Sequence, residues 1–284
     1  MTEPLAQQDA APAFLEVRGV SKSFGAAGKS RRHVQALQDV SLEVGPREFL
    51  SIVGPSGCGK STLLRLVDGL EKPQSGQVLL GGRPVKAPGL DRGVVFQAPN
   101  LLPWRTVVRN VEFGLESKGM ARRERRARAL ELLDIVGLAG FAGFYPSQLS
   151  GGMQQRVGLA RALAIDPAML LMDEPFAAVD AQTRLVLQEE LERVWLQTEK
   201  AVLFITHDIE EAIFLADRVI VMSRTPGRII DTVPVDFPRP RHFDLRGTPE
   251  FAQLVRRVLD SLRAQVGSLR PSAVPEPSID EARS

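Results

Sequence analysis

Residues 54–62, "GPSGCGKST", decide how the rest of the chain reads. An apolar run, "REFLSIVG" (47–54), leads into them, and "STLLRLVDGL" (61–70) follows with helical patterning and Gly69 near its end. Strand, glycine-rich loop and helix in this order fit G-x-x-x-x-G-K-[ST] in the context its chemistry requires. Glycines let the backbone turn successive N–H groups inward as a nest for anions, and the helix N-terminus adds partial positive charge. Gly54, Pro55, Ser56, Gly57, Cys58 and Gly59 are therefore expected to cradle phosphates. Lys60 places an ammonium on the β- and γ-phosphates, Ser61 offers a hydroxyl to Mg2+, and Thr62 helps to hold the α- or β-phosphate.

Further residues are expected at the same nucleotide. The buried run "AMLLMDE" (168–174) ends in Asp173, whose carboxylate can reach a Mg2+ shell directly or through water. Glu174 follows, placed to orient and deprotonate an attacking water. His207 ends "AVLFITH" (201–207), another buried run, where it can contact the γ-phosphate and hold that water with Glu174. Gln97 follows "GVVF"; an amide there can ligate Mg2+ and sense the γ-phosphate. A second phosphate cradle, "LSGGMQQR" (149–156), stands nearly a hundred residues after the first, with Met153, Val157, Ala160 and Ala164 recurring behind it at helical spacing.

Composition bounds the rest. The 284 residues suffice for one large α/β domain. Lys+Arg number 36 against 34 Asp+Glu, a net charge of +2, which supplies no basic stripe for nucleic acid. Cys58 is the only cysteine, so no internal disulfide forms and a reducing cytosol fits. No apolar run has the length of a bilayer span, and "MTEPLAQQDAAPA" lacks the basic and apolar regions of a secretory signal. The chain is expected to reach a membrane only by docking on something already there.

Strand-like and helical runs alternate, which indicates a largely parallel core with an antiparallel β flank built from the first strands, "FLEVRGV" and "VQALQDVSLEV". Residues 1–13 and 268–284 read as disordered ends around a domain at 14–267. Residues 106–165 read as a helical subdomain inserted into the sheet domain; its five arginines between 122 and 128 are expected on a solvated helix face.

Taken in order, these motifs resemble the ATP-binding subunit of an ABC transporter, over roughly residues 14–265. By that resemblance "GPSGCGKST" is the Walker A loop, Gln97 the Q-loop glutamine, "LSGGMQQR" the signature, "LLMDE" Walker B, Asp180 the D-loop aspartate and His207 the switch histidine. The family implies a head-to-tail dimer of two copies, in which Ser150, Gly151 and Gly152 of one copy cover the ATP held by the Walker A loop of the other. It also implies two transmembrane permease subunits as partners, a substrate-binding protein acting through them, and a peripheral place at the cytoplasmic face of the membrane. Phe24 matches the aromatic that stacks on adenine, a position where tyrosine is commoner. The D-loop departs from the family pattern as "AAVD", with apolar character kept, and the loop at 26–33 is longer and more basic than usual. "NLLPWRTVVRNVEFGLE" (100–116) and "PRPRHFDLRGTPEF" (238–251) resemble the importer branch for nitrate, aliphatic sulfonates and taurine; there residues 98–105 receive a permease helix, with Trp104 at the interface. The alternatives are a soluble ABC ATPase acting on nucleic acid or ribosomes, and a nucleotide-binding regulator with little turnover. Balanced charge and a single cassette without a long coiled-coil insertion stand against the first, the acidic pair with His207 against the second.

Overall fold

The computed structural model describes residues 13–25 and 34–267. The readings of 1–12, of the basic loop 26–33 and of the tail 268–284 lie outside the described residues. Two sheets carry the molecule. The larger has six strands in the order β10-β9-β3-β8-β7-β6, formed by β3 (Phe49–Val53), β6 (Arg92–Val95), β7 (Met169–Asp173), β8 (Ala201–Ile205), β9 (Arg218–Met222) and β10 (Ile229–Pro234). All its pairings are parallel except β9 with β10. The smaller is antiparallel, with β2 (Val34–Val44), β1 (Leu15–Phe24), β4 (Ser75–Leu80) and the short β5 (Arg83–Pro84) in that order. The mostly parallel core with an antiparallel flank is as expected; β5 is an addition, too short to show a period.

Patterning explains both sheets. β3 and β8 are buried at every position, as strands covered on both faces must be, so they read as continuous apolar runs. Their pleat then divides the core. Leu50, Ile52, Leu171 and Leu203 pack with the small sheet and with α1 (Lys60–Asp68). Phe49, Val53, Leu170, Met172, Val202 and Phe204 face the opposite side, against the later helices. β2 alternates over Val40–Val44 between buried apolar and exposed polar residues, as a strand with one wet face should.

Three helices follow β6 and precede β7: α2 (Val107–Ser117), α3 (Arg122–Ile135) and α4 (Gly151–Ala164). The basic run on α3 is partly consumed inside this group. Arg126 donates to the buried Glu112 of α2 at 3.3 Å, Arg125 lies 3.9 Å from it, and Arg128 pairs with Glu131 at 2.9 Å. α5 (Ala181–Thr198) and α6 (Ile209–Leu215) cover the sheet, and α7 (Pro249–Gly267) closes the described chain with Phe251 and Val258 buried.

Candidate functional site

The C-terminal ends of the parallel strands meet at one edge, where open α/β sheets hold their ligands. β3 leads into the loop 54–59, β7 into Asp173 and Glu174, β8 into Thr206 and His207, and β6 into Phe96 and Gln97. The loop requires its glycines. Gly59 has φ 100°, and a Cβ there would lie 2.7 Å from the Ala36 carbonyl oxygen. Gly57, at φ 76°, has open space around it, and its carbonyl accepts from the Thr225 hydroxyl at 2.8 Å. Lys60 is buried; its ammonium donates to the carbonyls of Gly54 at 2.8 Å and Pro55 at 3.2 Å, and lies 4.0 Å from the Cys58 sulfur. Cys58 is buried, and desolvation pushes its thiol up, so it stays protonated.

Residues far apart in sequence converge beside this loop. The Ser61 hydroxyl donates to Asp173 Oδ1 at 3.1 Å. Burial raises the Asp173 carboxyl above its ordinary range, the Ser61 hydrogen bond opposes this, and the neighbouring Glu174 charge adds to it. Glu174 turns out of β7 with φ 46°, its N–H donating to the Ile205 carbonyl at 2.8 Å. Its carboxylate lies 3.0 Å from His207 Nδ1. Lys60, Ser61, Asp173, Glu174 and His207 thus form one constellation within one chain.

The remaining candidates stand elsewhere. Ser150 caps α4, accepting from the Met153 N–H at 3.3 Å. A Cβ at Gly152 would come within 2.8 Å of the Thr183 methyl on α5, while one at Gly151 would meet nothing within 4 Å. Among the described residues this turn shares no hydrogen bond with residues 54–62. Asp180 caps α5, accepting from the Thr183 N–H at 3.0 Å, and the backbone and side-chain hydrogen bonds of Thr183 hold its carboxyl below the usual range. Gln97 is exposed at the end of β6. Phe24 is 40% exposed at the end of β1, with the Lys22 ammonium 5.3 Å from its ring centroid. Thr62 follows Ser61 in the first turn of α1.

The sequence reading missed a buried group behind His207. Glu211 on α6 accepts from Thr206 and from Gln188 on α5. Asp208 caps α6 by accepting from the Glu211 N–H at 3.1 Å. That spacing, Asp followed three residues later by Glu, is a helix-start signature and was available in the sequence.

The family model described as ABC transporter matches residues 37–177. An uncharacterized ABC transporter ATP-binding protein of Methanocaldococcus jannaschii is 49% identical over 252 residues, 89% of this chain and 92% of that one. A taurine import ATP-binding protein, TauB, of Yersinia pestis is 53% identical over 202 residues, 71% of this chain and 79% of that one. Among solved structures, the dimeric ATP-binding cassette MJ0796 bound to ADP and Pi superposes with a TM-score of 0.68 at 35% identity, covering 79% of this chain and all of that one. Since the likeness extends over most of each relative and includes the phosphate loop with the acidic strand end, the chain belongs to the ATP-binding subunits of ABC transporters, the ATPases that power them.

Proposed function

We propose that this chain drives import of a small sulfonate anion, of which taurine is the first candidate, as a head-to-tail pair of copies bound to two permease subunits at the cytoplasmic face of the membrane. Its similarity to TauB carries the choice of cargo. Residues 14–267 serve as the motor domain, and the helical segment 106–165 presents the signature turn to the partner copy. Among the described residues Ser150 to Gly152 share no hydrogen bond with their own phosphate loop, which supports their action on the partner's ATP. Trp104, 72% exposed, borders a cleft of about 720 Å3 lined by Arg105, Arg109, Glu112, Arg122 and Arg126. An exposed aromatic beside arginines suits a protein partner, so this cleft receives the permease.

Gly54–Gly59, Lys60 and Thr62 hold the triphosphate and Phe24 stacks on adenine. The Ser61 hydroxyl and Asp173 carboxylate form an all-oxygen donor set suited to Mg2+, with Gln97 as a further ligand. Mg2+, when bound, draws charge from the phosphate oxygens. Glu174 accepts a proton from water as the water oxygen bonds to the γ-phosphorus and the bond to the β–γ bridging oxygen breaks. His207 orients the Glu174 carboxylate. Asp180 fixes the start of α5 beneath the signature turn.

Deleting the gene should abolish growth on taurine as sole sulfur source and leave growth on sulfate intact. Unimpaired growth on taurine would remove that cargo, and a defect on nitrate instead would move the assignment to the other anion class.

A further inference from the structure

His207 is exposed, and among the described residues its ring has one hydrogen-bond partner, Glu174, 3.0 Å from Nδ1. Its aim therefore depends on the backbone of residues 206–208, which buried side chains hold from beneath. The hydroxyl of buried Thr206 accepts from the Asp208 N–H at 3.0 Å and donates to the Glu211 carboxylate. The Glu211 N–H in turn donates to Asp208 Oδ1 at 3.1 Å. One residue on α6 thus holds both neighbours of His207, Thr206 through its carboxylate and Asp208 through its N–H. The other Glu211 oxygen accepts from the Gln188 amide at 3.0 Å. Gln188 is 2% exposed, and its amide oxygen accepts from Arg246. That bond decides which end of the Gln188 amide faces Glu211. The Arg246 guanidinium lies 3.9 Å from the Phe214 ring centroid and 5.7 Å from that of Phe243. Arg246 belongs to "PRPRHFDLRGTPEF", a stretch the phosphate chemistry leaves without a part. A buried polar group that loses its partner is costly, so these four side chains keep one arrangement.

We propose that Thr206, Glu211, Gln188 and Arg246 are positioning residues that hold the His207 ring on Glu174, so that the segment after β10 sets the geometry of that pair. For its effect on turnover the proposal rests on the reading of Glu174 as base and His207 as the group that orients it. The aim of the ring belongs to the chain without nucleotide. None of the four side chains reaches the phosphate loop; they act through the backbone on either side of His207.

Ring-nitrogen NMR of the full chain, isotope-labelled at histidine and free of nucleotide, tests this. The chain has three histidines, His33, His207 and His242, and the His207 signal is the one that His207→Gln removes. A carboxylate only accepts, so the pairing with Glu174 puts the neutral ring's proton on Nδ1, against the ordinary preference of the side chain for Nε2. At about pH 8, where imidazole is ordinarily neutral, the parent and Thr206→Ser should show the Nδ1–H tautomer. Thr206→Val keeps the shape and removes the hydroxyl; Arg246→Met removes the donor to Gln188. Both should move His207 toward the Nε2–H tautomer, and their kcat for ATP should fall by about 10- to 100-fold at nearly constant KM. A parent without the Nδ1–H tautomer, or either variant retaining it in full, would overturn the proposal. If Thr206→Val does not fold, Arg246→Met, at the half-buried far end, decides alone. A tautomer that moves as expected while kcat keeps the parent value leaves the positioning role standing and removes the catalytic reading of Glu174 and His207.

Discussion

At Glu174 the chain leaves β7 in the left-handed region, with its N–H tied to Ile205 and its carboxylate on His207. A non-glycine residue there is held by its surroundings against local preference. Here the turn brings the carboxylate out of line with Asp173, which accepts from Ser61, and toward His207, separating the proposed metal-binding acid from the proposed base in adjacent positions. Glu174→Gln keeps the shape and removes the proposed base. Turnover should fall by at least about 100-fold, while size-exclusion chromatography with ATP and Mg2+ should show a persistent dimer. An unchanged rate would remove Glu174 from the role of base.

Among the elements, α6 shows how a short helix is held in a crowded core. It spans Ile209–Leu215, capped at its start by Asp208. Its last carbonyls lack partners within the helix. Arg241, arriving from beyond β10 and 3% exposed, donates to the carbonyls of Ile213, Phe214 and Ala216 at 2.7–3.1 Å, and to those of Val235 and Phe237 at 3.3 Å. Burial, with the nearby Arg239 charge, pushes its guanidinium down to about 10, so it remains charged at neutral pH. Its neighbour Arg239 bonds Asp217 and the buried Glu192 and lies over the Trp195 ring, 4.2 Å from its centroid. The motif "PRPRHFDLRGTPEF" therefore fastens the chain on its way to α7. Arg241→Met leaves buried carbonyls unpaired and should cost about 3 kcal/mol or more of stability, read as a lower urea midpoint.

Across the whole molecule, Glu211 joins parts that the chain order separates. It accepts from Thr206, beside the His207 strand end, and from Gln188 on α5, whose own carbonyl accepts from Arg246 in the segment before α7. Burial raises its carboxyl from 4.5 to about 7; the Asp208 charge adds to this, while the Thr206 and Gln188 hydrogen bonds and the Arg184 charge oppose it. A carboxyl raised on folding holds a proton that the unfolded chain releases. The penalty is absent below 4.5, grows as pH rises, and is complete above about 7. It amounts to about 3 kcal/mol at most. Glu211→Gln should therefore gain stability relative to the parent between pH 5 and pH 8. Denaturation midpoints at both pH values check this, and a constant difference would show that Glu211 does not titrate in that range.

The motif residues and the strands that carry them were legible because they rest on short-range rules. A phosphate loop needs its glycines within a few residues, and a doubly covered strand is apolar at every position, as β3 and β8 are. The family likeness, the parallel core and the antiparallel flank followed from such local signals. Distances between remote residues did not. Ser61 and Asp173 stand 112 positions apart, and Glu174 and His207 33 apart. The arginines of α3 find Glu112 only once α2 and α3 pack together. The seat of Arg241 under α6 has no local signature. A buried polar side chain must find its partners wherever packing delivers them, and chain order alone does not say where that is.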